Sequence, residues 1–319
     1  MAQIDELRLM ARVARMYYEN DMRQSEISQQ LGLSQATVSR LFKRAKEEGI
    51  VRISVNVPQG VFSELEEQII AAYNLRDAIV VDCFHEDEQM IQRDIGAAAA
   101  YYVESTIKPN EVIGLSSWSG TLLALVDTMH PVSRKNDVRV VQILGGIGNP
   151  AAEVHAARLT GRLAKLVNGT ATYLPAPGVV GSEAALQVLL EDQYVQEAVA
   201  LFDRVSLALV GIGAVEPSDL LADSGNIFSD AELGILRGEG AVGDILLHFF
   251  DQDGQPVKTS LDKRVMSMSL PQMRRADRAV GVAGGRRKHD AILAALRGQW
   301  INVLITDCFT GQRLMAAAK

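Results

Sequence analysis

Apolar positions recur at helical spacing through the first fifty residues of the chain. Ile27 and Leu31 lie four apart, which places them on one face of a short helix. A second helix follows directly, and its inner face consists of Val38, Leu41 and Ala45. The same spacing predicts an upstream helix at Leu7, Ala11, Ala14 and Tyr18. Beyond Gly49, which ends the second helix, alternation predicts a short strand at Val51, Ile53 and Val55.

The turn between the two short helices contains the residues that such a turn requires. Gly32 stands where a helix ends in the left-handed conformation. Ser34 can cap the next helix through its side-chain oxygen. The two positions of a hydrophobic staple are occupied by Leu33 and Val38. Helix, turn, helix and strand over residues 24–53 therefore predict a winged-type helix-turn-helix unit, which places one helix in the major groove of DNA.

The outer face of the second helix carries small side chains and long hydrogen-bond donors. Such groups are what base edges and phosphates require. The predicted DNA-binding residues are Gln35, Ala36, Thr37, Ser39, Arg40, Lys43 and Arg44. The alternative is an ordinary helical hairpin with a basic face. The turn residues, the hydrophobic staple and the basic outer face all lie within residues 24–53, and this combination favours DNA binding.

From residue 78 onward, short apolar runs alternate with segments of helical length. Several runs are apolar throughout, as expected of strands that are covered on both faces. The predicted strands are residues 78–82, 112–116, 138–144, 171–175, 205–213, 245–250, 265–270, 278–284 and 301–307. The predicted helices are residues 87–107, 120–130, 151–167, 182–202 and 286–297. This alternation predicts a large Rossmann-like α/β domain with a mostly parallel sheet.

A proline and a glycine separate the two regions, in the segment 56–60. We therefore expect a helix-turn-helix DNA-binding domain over residues 1–57 and an effector-binding and oligomerisation domain over residues 58–319. An amphipathic helix over residues 62–73 either belongs to the second domain or forms a dimer contact between the domains.

Charge is distributed unevenly between the two predicted domains. The chain of 319 residues has a net charge of −7. Its first 57 residues contain nine Lys and Arg and seven Asp and Glu, which gives +2 and leaves −9 for the rest. A basic head on an acidic body is compatible with DNA binding through the head alone. It argues against a protein that wraps DNA over its whole surface.

The remaining composition excludes several other classes of protein. There are two cysteines, so no disulfide framework is implied. No apolar run resembles a secretion signal or is long enough to cross a bilayer, so we expect a cytoplasmic protein without a membrane contact. The five histidines show no metal-ligand spacing with the cysteines, and neither a metal nor a cofactor is expected.

Small and polar residues follow several predicted strands. In open parallel sheets, ligands bind beyond the carboxyl ends of the strands. Residues 114–121 supply four hydroxyls and a helix start that can hold a phosphate. Glycines at 144–150 and 211–214 allow close approach to a ligand, and 282–291 supplies cations. A glycine after a single strand often serves only to form a turn. Four such segments at equivalent places, in contrast, predict a shared pocket.

Several side chains admit two interpretations. Asp244 either faces the ligand or caps the segment that follows it, and Trp118 either stacks on a sugar or belongs to the core. We expect Asp307 to cap the C-terminal helix, and Arg264 to pair locally with Asp262 rather than reach the pocket.

These features carry a resemblance over nearly the whole chain. The segments concerned are residues 49–53, 116–127, 142–146, 173–178, 211–214, 240–245 and 283–307. In them the chain resembles the SorC family of bacterial sugar-responsive transcription regulators. The resemblance implies an effector domain similar to sugar phosphate isomerases and deaminases. It also implies a phosphorylated sugar, or a free sugar or polyol, as ligand, and dimers or tetramers that bind operators.

The resemblance also implies the effector-binding positions, residue by residue. The loop over residues 116–121 matches the phosphate-side loop, Lys288 matches a cation, and Asp244 matches a carboxylate that faces sugar hydroxyls. The implied effector-binding residues are Ser116, Ser117, Trp118, Ser119, Gly120, Thr121, Gly145, Gly146, Asp244 and Lys288. Many members have a shorter SWG-type loop where this chain has SSWSG, which leaves open which serine touches the ligand.

Two functions of different class are compatible with these features. The first is a repressor of a carbohydrate catabolic operon, which binds a palindromic operator as a homodimer or homotetramer and responds to a sugar or sugar phosphate. The alternative is a sugar-phosphate isomerase or deaminase with an added N-terminal domain, for which Asp244 and Asp307 are candidate acid–base groups. An enzyme has no use for the capped basic helix, so we expect a regulator without catalytic residues.

Overall fold

The chain divides into two compact units, Met1–Pro58 and Gln59–Lys319, each with its own hydrophobic core. The computed structural model describes residues 2–51, 60–132 and 137–318, and within them it does not describe the side chains of residues 2–4 and 150–156. The predicted strand positions Ile53 and Val55 lie outside the described residues, as does the predicted linker apart from Gly60.

In its described part, the first unit consists of the helices α1 (Ala2–Tyr18), α2 (Gln24–Leu31) and α3 (Gln35–Glu47). Gly32 ends α2 with a φ of 66°, a conformation that glycine adopts without strain. The Ser34 hydroxyl accepts a hydrogen bond from the Thr37 amide at 3.1 Å and so caps α3. Beyond the end of α3, Gly49 has a φ of 70°. The predicted helix-turn-helix is confirmed.

The predicted upstream helix is present as α1, and Ala14 of the predicted repeat is buried. Leu7 and Tyr18 of the same repeat are 37% and 41% exposed. The core is contacted instead by Met10, Val13 and Met16, which are almost fully buried. The helix contains two overlapping apolar repeats, and the face with Met10, Val13 and Met16 is the one that removes its side chains from water.

Ten short strands follow in the described part of the second unit. They are β1 (Asp77–Val81), β2 (Val112–Leu115), β3 (Arg139–Gln142), β4 (Thr170–Thr172), β5 (Leu207–Val210), β6 (Gly213–Ala214), β7 (Gly243–Ile245), β8 (His248–Phe250), β9 (Arg278–Val282) and β10 (Val303–Asp307). Seven of them form a sheet that is parallel throughout, in the order β1-β10-β9-β5-β2-β3-β4. The other three form a small antiparallel sheet, β6-β7-β8.

Helices separate most of these strands. They are α4 (Ser63–Tyr73), α5 (Glu88–Thr106), α6 (Gly120–Thr128), α7 (Pro150–Leu166), α8 (Glu183–Leu190), α9 (Gln193–Val199), α10 (Asp219–Ser224), α11 (Asp230–Gly238), α12 (Leu270–Arg274), α13 (His289–Arg297) and α14 (Cys308–Ala317). The adjacent strands β2, β5 and β9 are buried along their whole length, which explains why they are apolar apart from Arg278, whose guanidinium pairs with the buried Glu111 at 2.7 Å. The predicted α/β architecture is confirmed. Helix α4 belongs to this unit, since Ile69 lies in its core.

Three predicted elements are wrong. Residues 245–250 are not one strand, because the chain reverses at Leu246 and Leu247 between β7 and β8. Residues 265–270 make only isolated bridges before Ser269 caps α12. The helix expected over 182–202 breaks at Asp192, whose carboxylate caps α9. In all three cases the apolar pattern continues through the break, so periodicity alone does not reveal it.

Across the described ranges, no helix is long and apolar enough to cross a membrane. The same residues contain no group of His, Cys, Asp or Glu side chains that could hold a metal ion. Both cysteines, Cys83 and Cys308, are buried and free.

Candidate DNA-binding face and effector cleft

The outer side of α3 presents most of the predicted DNA-binding residues to solvent. The exposed ones are Gln35, Ala36, Ser39, Arg40 and Lys43. Thr37 and Arg44 are half-buried and stabilise the unit. The Thr37 hydroxyl lies 2.8 Å from the Ser34 hydroxyl. The Arg44 guanidinium pairs with Glu48 at 2.8 Å and also with Glu6 of α1, and these two carboxylates raise the pKa of Arg44.

In the second unit, a cleft of about 970 Å³ opens at the carboxyl ends of β2, β5 and β9. These three strands are neighbours in the sheet. From β2 the chain continues to β3 and β4 on one side of β2, and it later returns to form β5 on the opposite side of β2. Such a switch point is where α/β sheets bind ligands. The small sheet begins directly after β5, so the turn between β7 and β8 also lines the cleft.

The loop after β2 brings the start of α6 to the cleft. The Ser119 hydroxyl accepts from the Leu122 amide at 3.3 Å and so caps the helix. Gly120 and Thr121, the first residues of α6, line the cleft together with Ser116. A Cβ atom on Gly120 would lie 2.0 Å from the side-chain nitrogen of Gln92 in α5, so the absence of a side chain at Gly120 leaves room for Gln92 beside the helix start. The arrangement presents a helix N-terminus, which favours an anion.

Asp244 faces the cleft from β7, opposite Gly213 of β6. Its Oδ2 accepts from the Leu247 amide at 3.0 Å, so it caps the segment that follows it while it also lines the cleft. Burial raises the pKa of Asp244 to about 6, although the Leu247 amide, Lys288 and His248 act in the opposite direction. A Cβ atom on Gly213 would lie 2.1 Å from Oδ1. The Asp244 carboxyl group therefore packs directly against the main chain at Gly213, and it is suited to forming a hydrogen bond with a hydroxyl group of a ligand.

Two cations approach from the segment between β9 and α13. Lys288 is half-buried and stands at the N-cap position of α13. Burial and then Arg287 lower the pKa of Lys288, whereas Glu88 and Asp244 act in the opposite direction. Arg287 donates to Glu88 at 2.9 Å. The carboxylates that line the cleft are Asp87, Glu88, Glu216, Asp219 and Asp244. The cleft therefore holds a few cations among more numerous acceptors.

Three predicted positions do not line this cleft. Ser117 is buried, and its hydroxyl donates at 2.7 Å to a main-chain carbonyl of the next loop. A Cβ atom on Gly145 would lie 2.4 Å from the backbone of Pro177, and one on Gly146 would lie 2.1 Å from the side chain of Gln142. The expectation that these glycines line the mouth is therefore wrong, because both are required for packing beneath it.

Trp118 touches the cleft but is only 4% exposed, and its Nε1 donates to the Gly145 carbonyl at 2.9 Å. It is chiefly a core residue. Asp307 caps α14 as predicted, since its Oδ1 accepts from the Thr310 amide at 2.8 Å. Its Oδ2 accepts from the Gly285 amide at 2.8 Å, which fixes the loop that carries the two cations.

The expected pair between Arg264 and Asp262 is not formed. Arg264 pairs with Glu232 of α11, which lowers the pKa of Glu232, and its Nε donates to the Val180 carbonyl at 2.7 Å. Asp262 is instead engaged by His248. Proximity in sequence misled the prediction, because the side chains of a short 3-10 turn point in different directions.

Two segments that line the cleft were missed by the sequence analysis. They are the start of α5, from Asp87 to Gln92, and the region before and within α10, from Glu216 to Leu221. A signal for the first existed, because the acidic run over residues 82–88 follows the end of β1. The rule used for the other strand ends applies to it equally. The second segment follows no parallel strand directly and had no such signal.

Comparison with known proteins identifies both units. Residues 58–316 match the family described as "Putative sugar-binding domain", and residues 7–53 match the "Homeodomain-like domain". The chain is 30% identical over 321 residues to the sorbitol operon regulator of Klebsiella pneumoniae, covering 99% of this chain and 100% of that protein. The crystal structure of that full-length regulator, SorC, matches with a TM-score of 0.74 over 97% of this chain and 98% of the other, at 30% identity.

The chain belongs to the SorC family of transcriptional regulators.

Other members extend the comparison to both halves of the molecule. The deoxyribonucleoside regulator of Bacillus subtilis strain 168 is 32% identical over 95% of each chain. The sugar-binding domain of a regulator from Pseudomonas syringae pv. tomato is 39% identical, with a TM-score of 0.64 over 80% of this chain and all of that one. Like these SorC-family relatives, the chain is a transcriptional regulator with a helix-turn-helix and a sugar-binding domain. The isomerase or deaminase alternative does not hold.

Proposed function

We propose that this regulator represses a carbohydrate catabolic operon and releases its operator when a sugar or sugar phosphate occupies the cleft. Residues 1–57 bind the DNA, and residues 58–319 bind the effector and hold the oligomer together. The observation that carries the proposal is the cleft itself, where the start of α6, Lys288 and Asp244 border one volume.

The chemistry of the cleft supports a phosphorylated sugar as effector. An anionic group is favoured at the start of α6, because its first amides point toward the cleft, and Lys288 supplies a positive charge. Asp244 is suited to a sugar hydroxyl. The proposed contacts are Ser116, Ser119, Gly120, Thr121, Asp244 and Lys288, with Ser117, Trp118, Gly145 and Gly146 supporting them from beneath. A free sugar or polyol is the second candidate, because five carboxylates line the same cleft.

The exposed face of α3 supports contact with an operator. Gln35, Ala36, Ser39, Arg40 and Lys43 form one outward surface of a helix that its unit holds by a buried inner face. A charge of only +2 on the first 57 residues makes a single copy a weak binder. Two copies related by two-fold symmetry would engage paired half-sites one helical turn or multiples of it apart. We therefore propose a homodimer or homotetramer on a palindromic operator.

A thermal-shift screen against sugars, polyols and their phosphates tests the effector. A compound at ~100 times its Kd stabilises the protein by ~2.7 kcal/mol, a readily measured rise in Tm. Lys288→Ala should reduce the shift given by a sugar phosphate. Arg286→Ala removes the same charge from an exposed residue that does not line the cleft, and should leave the shift unchanged. Equal shifts in both variants would exclude Lys288 from the site.

The sign of regulation needs a separate measurement. An effector changes DNA binding only if its affinity differs between the DNA-bound and the free protein. The compound that gives the largest thermal shift should lower the affinity of the wild-type protein for its operator in an anisotropy titration. Tighter binding to the operator in the presence of the compound would mean that the protein is an activator, or a repressor for which the compound is a co-repressor. A monomeric mass at micromolar concentration, with and without operator, would contradict the proposed oligomer.

A further inference from the structure

The turn between β7 and β8 is the most strained backbone that borders the cleft. Leu246 and Leu247 have φ values of 56° and 66°, and both are almost fully buried. Two-residue hairpin turns with positive φ at both positions are normally filled by asparagine and glycine. For leucine this conformation costs roughly 1–2 kcal/mol per residue. Such strain persists only where neighbouring groups hold it in place.

Two hydrogen bonds hold this turn, one at each residue. The Leu247 amide donates to Asp244 Oδ2 at 3.0 Å. On the other side, the Ser267 hydroxyl donates to the Leu246 carbonyl at 3.0 Å. Both leucines and Asp244 line the cleft, whereas Ser267 does not. The geometry of the cleft wall therefore depends on a serine behind it.

His248, the first residue of β8, holds that serine. Its Nε2 lies 2.9 Å from Ser267 Oγ, and its Nδ1 lies 2.7 Å from Asp262 Oδ1. The ring is 13% exposed, and the Asp262 side chain is 53% exposed. A continuous chain of hydrogen bonds therefore leads from a carboxylate at the surface to the Leu246 carbonyl in the cleft wall.

His248 connects a surface carboxylate to the hydroxyl that holds the turn. Ser267 has one hydroxyl proton, and it donates this proton to the Leu246 carbonyl, which can only accept. On the other side of the ring, the hydrogen bond between His248 and Asp262 lowers the pKa of Asp262. The ring therefore fixes the position of Ser267 and is itself fixed by Asp262.

The order Asp262, His248, Ser267 resembles a hydrolase triad but has the opposite polarity. In a nucleophilic triad the serine donates its proton to the imidazole. Here the serine donates to Leu246, so its oxygen is not activated, and it does not line the cleft. The arrangement is therefore suited to positioning rather than to catalysis.

We propose that His248 is a positioning residue that holds the Leu246–Leu247 turn against the effector cleft through Ser267. Without the ring, the Ser267 hydroxyl can rotate away from the Leu246 carbonyl, and the turn loosens. The importance of His248 for effector binding rests on the proposed function, whereas its role in holding the Leu246–Leu247 turn does not.

Hydrogen–deuterium exchange of the peptide 244–250 in the full-length protein, without any sugar, tests the proposal. His248→Gln should accelerate exchange of this peptide roughly tenfold over the wild-type protein at the same pH, since a buried hydrogen bond is lost. Asp262→Asn, at a half-exposed position, should act in the same direction. His130→Gln, at an exposed histidine paired with Glu104, should have no effect.

Unchanged exchange in both His248→Gln and Asp262→Asn would overturn the proposal. A second readout repeats the thermal-shift screen on His248→Gln with sorbitol 6-phosphate and 2-deoxyribose 5-phosphate as probes. If exchange responds as expected but neither probe shifts the wild-type Tm, the positioning role stands and the choice of effector is wrong. A probe that shifts wild type and His248→Gln equally shows that the turn does not serve the site.

Discussion

The DNA-binding face and the effector cleft are built in opposite ways. The face on α3 uses five exposed side chains within one helix of 13 residues, and its backbone is regular. The cleft takes its groups from segments as far apart as Asp87 and Lys288, and it contains a strained turn. A side chain on the face can be removed without disturbing its neighbours. A side chain in the cleft often supports backbone that other contacts require, so its removal has two effects.

The largest effect should follow from breaking the core under the DNA-binding face. Ile27 is fully buried in a small core, and Ile27→Ala should lower the free energy of unfolding by about 2–5 kcal/mol. We expect this to unfold the first unit and abolish operator binding, while the Tm shift given by a sugar phosphate persists. Ile235→Ala, at a position that is 53% exposed, is the matched control. Loss of the sugar response in Ile27→Ala would show that the two units do not fold separately.

A comparable effect is expected at the cation loop of the cleft. Asp307→Ala leaves the buried Thr310 amide and hydroxyl without their acceptor and removes one of the two acceptors of the Gly285 amide, which should cost roughly 2–5 kcal/mol of stability. Asp192→Ala removes an exposed cap from α9 and should cost only about 1 kcal/mol. Chemical denaturation compares the two variants. Equal costs would mean that Asp307 is no more than a helix cap.

The contribution of Asp244 to the stability of the protein should depend on pH. Its raised pKa means that the folded protein favours the neutral carboxyl, so the stability it contributes is present below pH 4 and is lost as pH rises toward 6. Asp244→Asn should therefore be more stable than wild type above pH 6, by roughly 1–3 kcal/mol, with the difference vanishing near pH 4. Asp219→Asn, at an exposed carboxylate of the same cleft, should show no such trend in thermal denaturation.

The smallest effect is expected on the regular face. Arg40→Ala should weaken operator binding by an amount set by one base contact, roughly 1–3 kcal/mol, without changing Tm or the response to a sugar. Arg15→Ala removes the same charge from α1, where Arg15 pairs with Glu19 at 2.9 Å, and serves as control. Identical operator affinities for the two variants in a gel-shift titration would place Arg40 outside the interface.

The same contrast decides what could be predicted from the sequence. The helix-turn-helix rests on local signals, namely Gly32, the Ser34 cap and the spacing of Ile27, Val38 and Leu41, and all of them were readable. The parallel sheet was also predictable, because buried strands are almost entirely apolar. Seven of the ten implied effector positions do line the cleft, since strand ends converge in such sheets.

What failed depended on contacts that are distant in sequence. The roles of Gly145 and Gly146 are set by Pro177 and Gln142, and periodicity carries no record of such packing. The turn at Leu246 and Leu247 lacks the residues that mark turns, because hydrogen bonds from Ser267 and to Asp244 enforce it. The sequence of α1 contains two overlapping apolar repeats, and only the rest of the core decides that Met10, Val13 and Met16 are the buried residues.

The close approach of Asp244 to Gly213 has a consequence for how this cleft can change. Any side chain at position 213 would occupy the space of the Asp244 carboxylate, whose Oδ1 lies 2.1 Å from where a Cβ atom would stand. Position 213 must therefore stay glycine for as long as position 244 keeps its carboxylate, whereas position 244 can change first. A library that seeks a new sugar specificity should replace position 244 before position 213, or both together, because replacing Gly213 first leaves no room for the carboxylate.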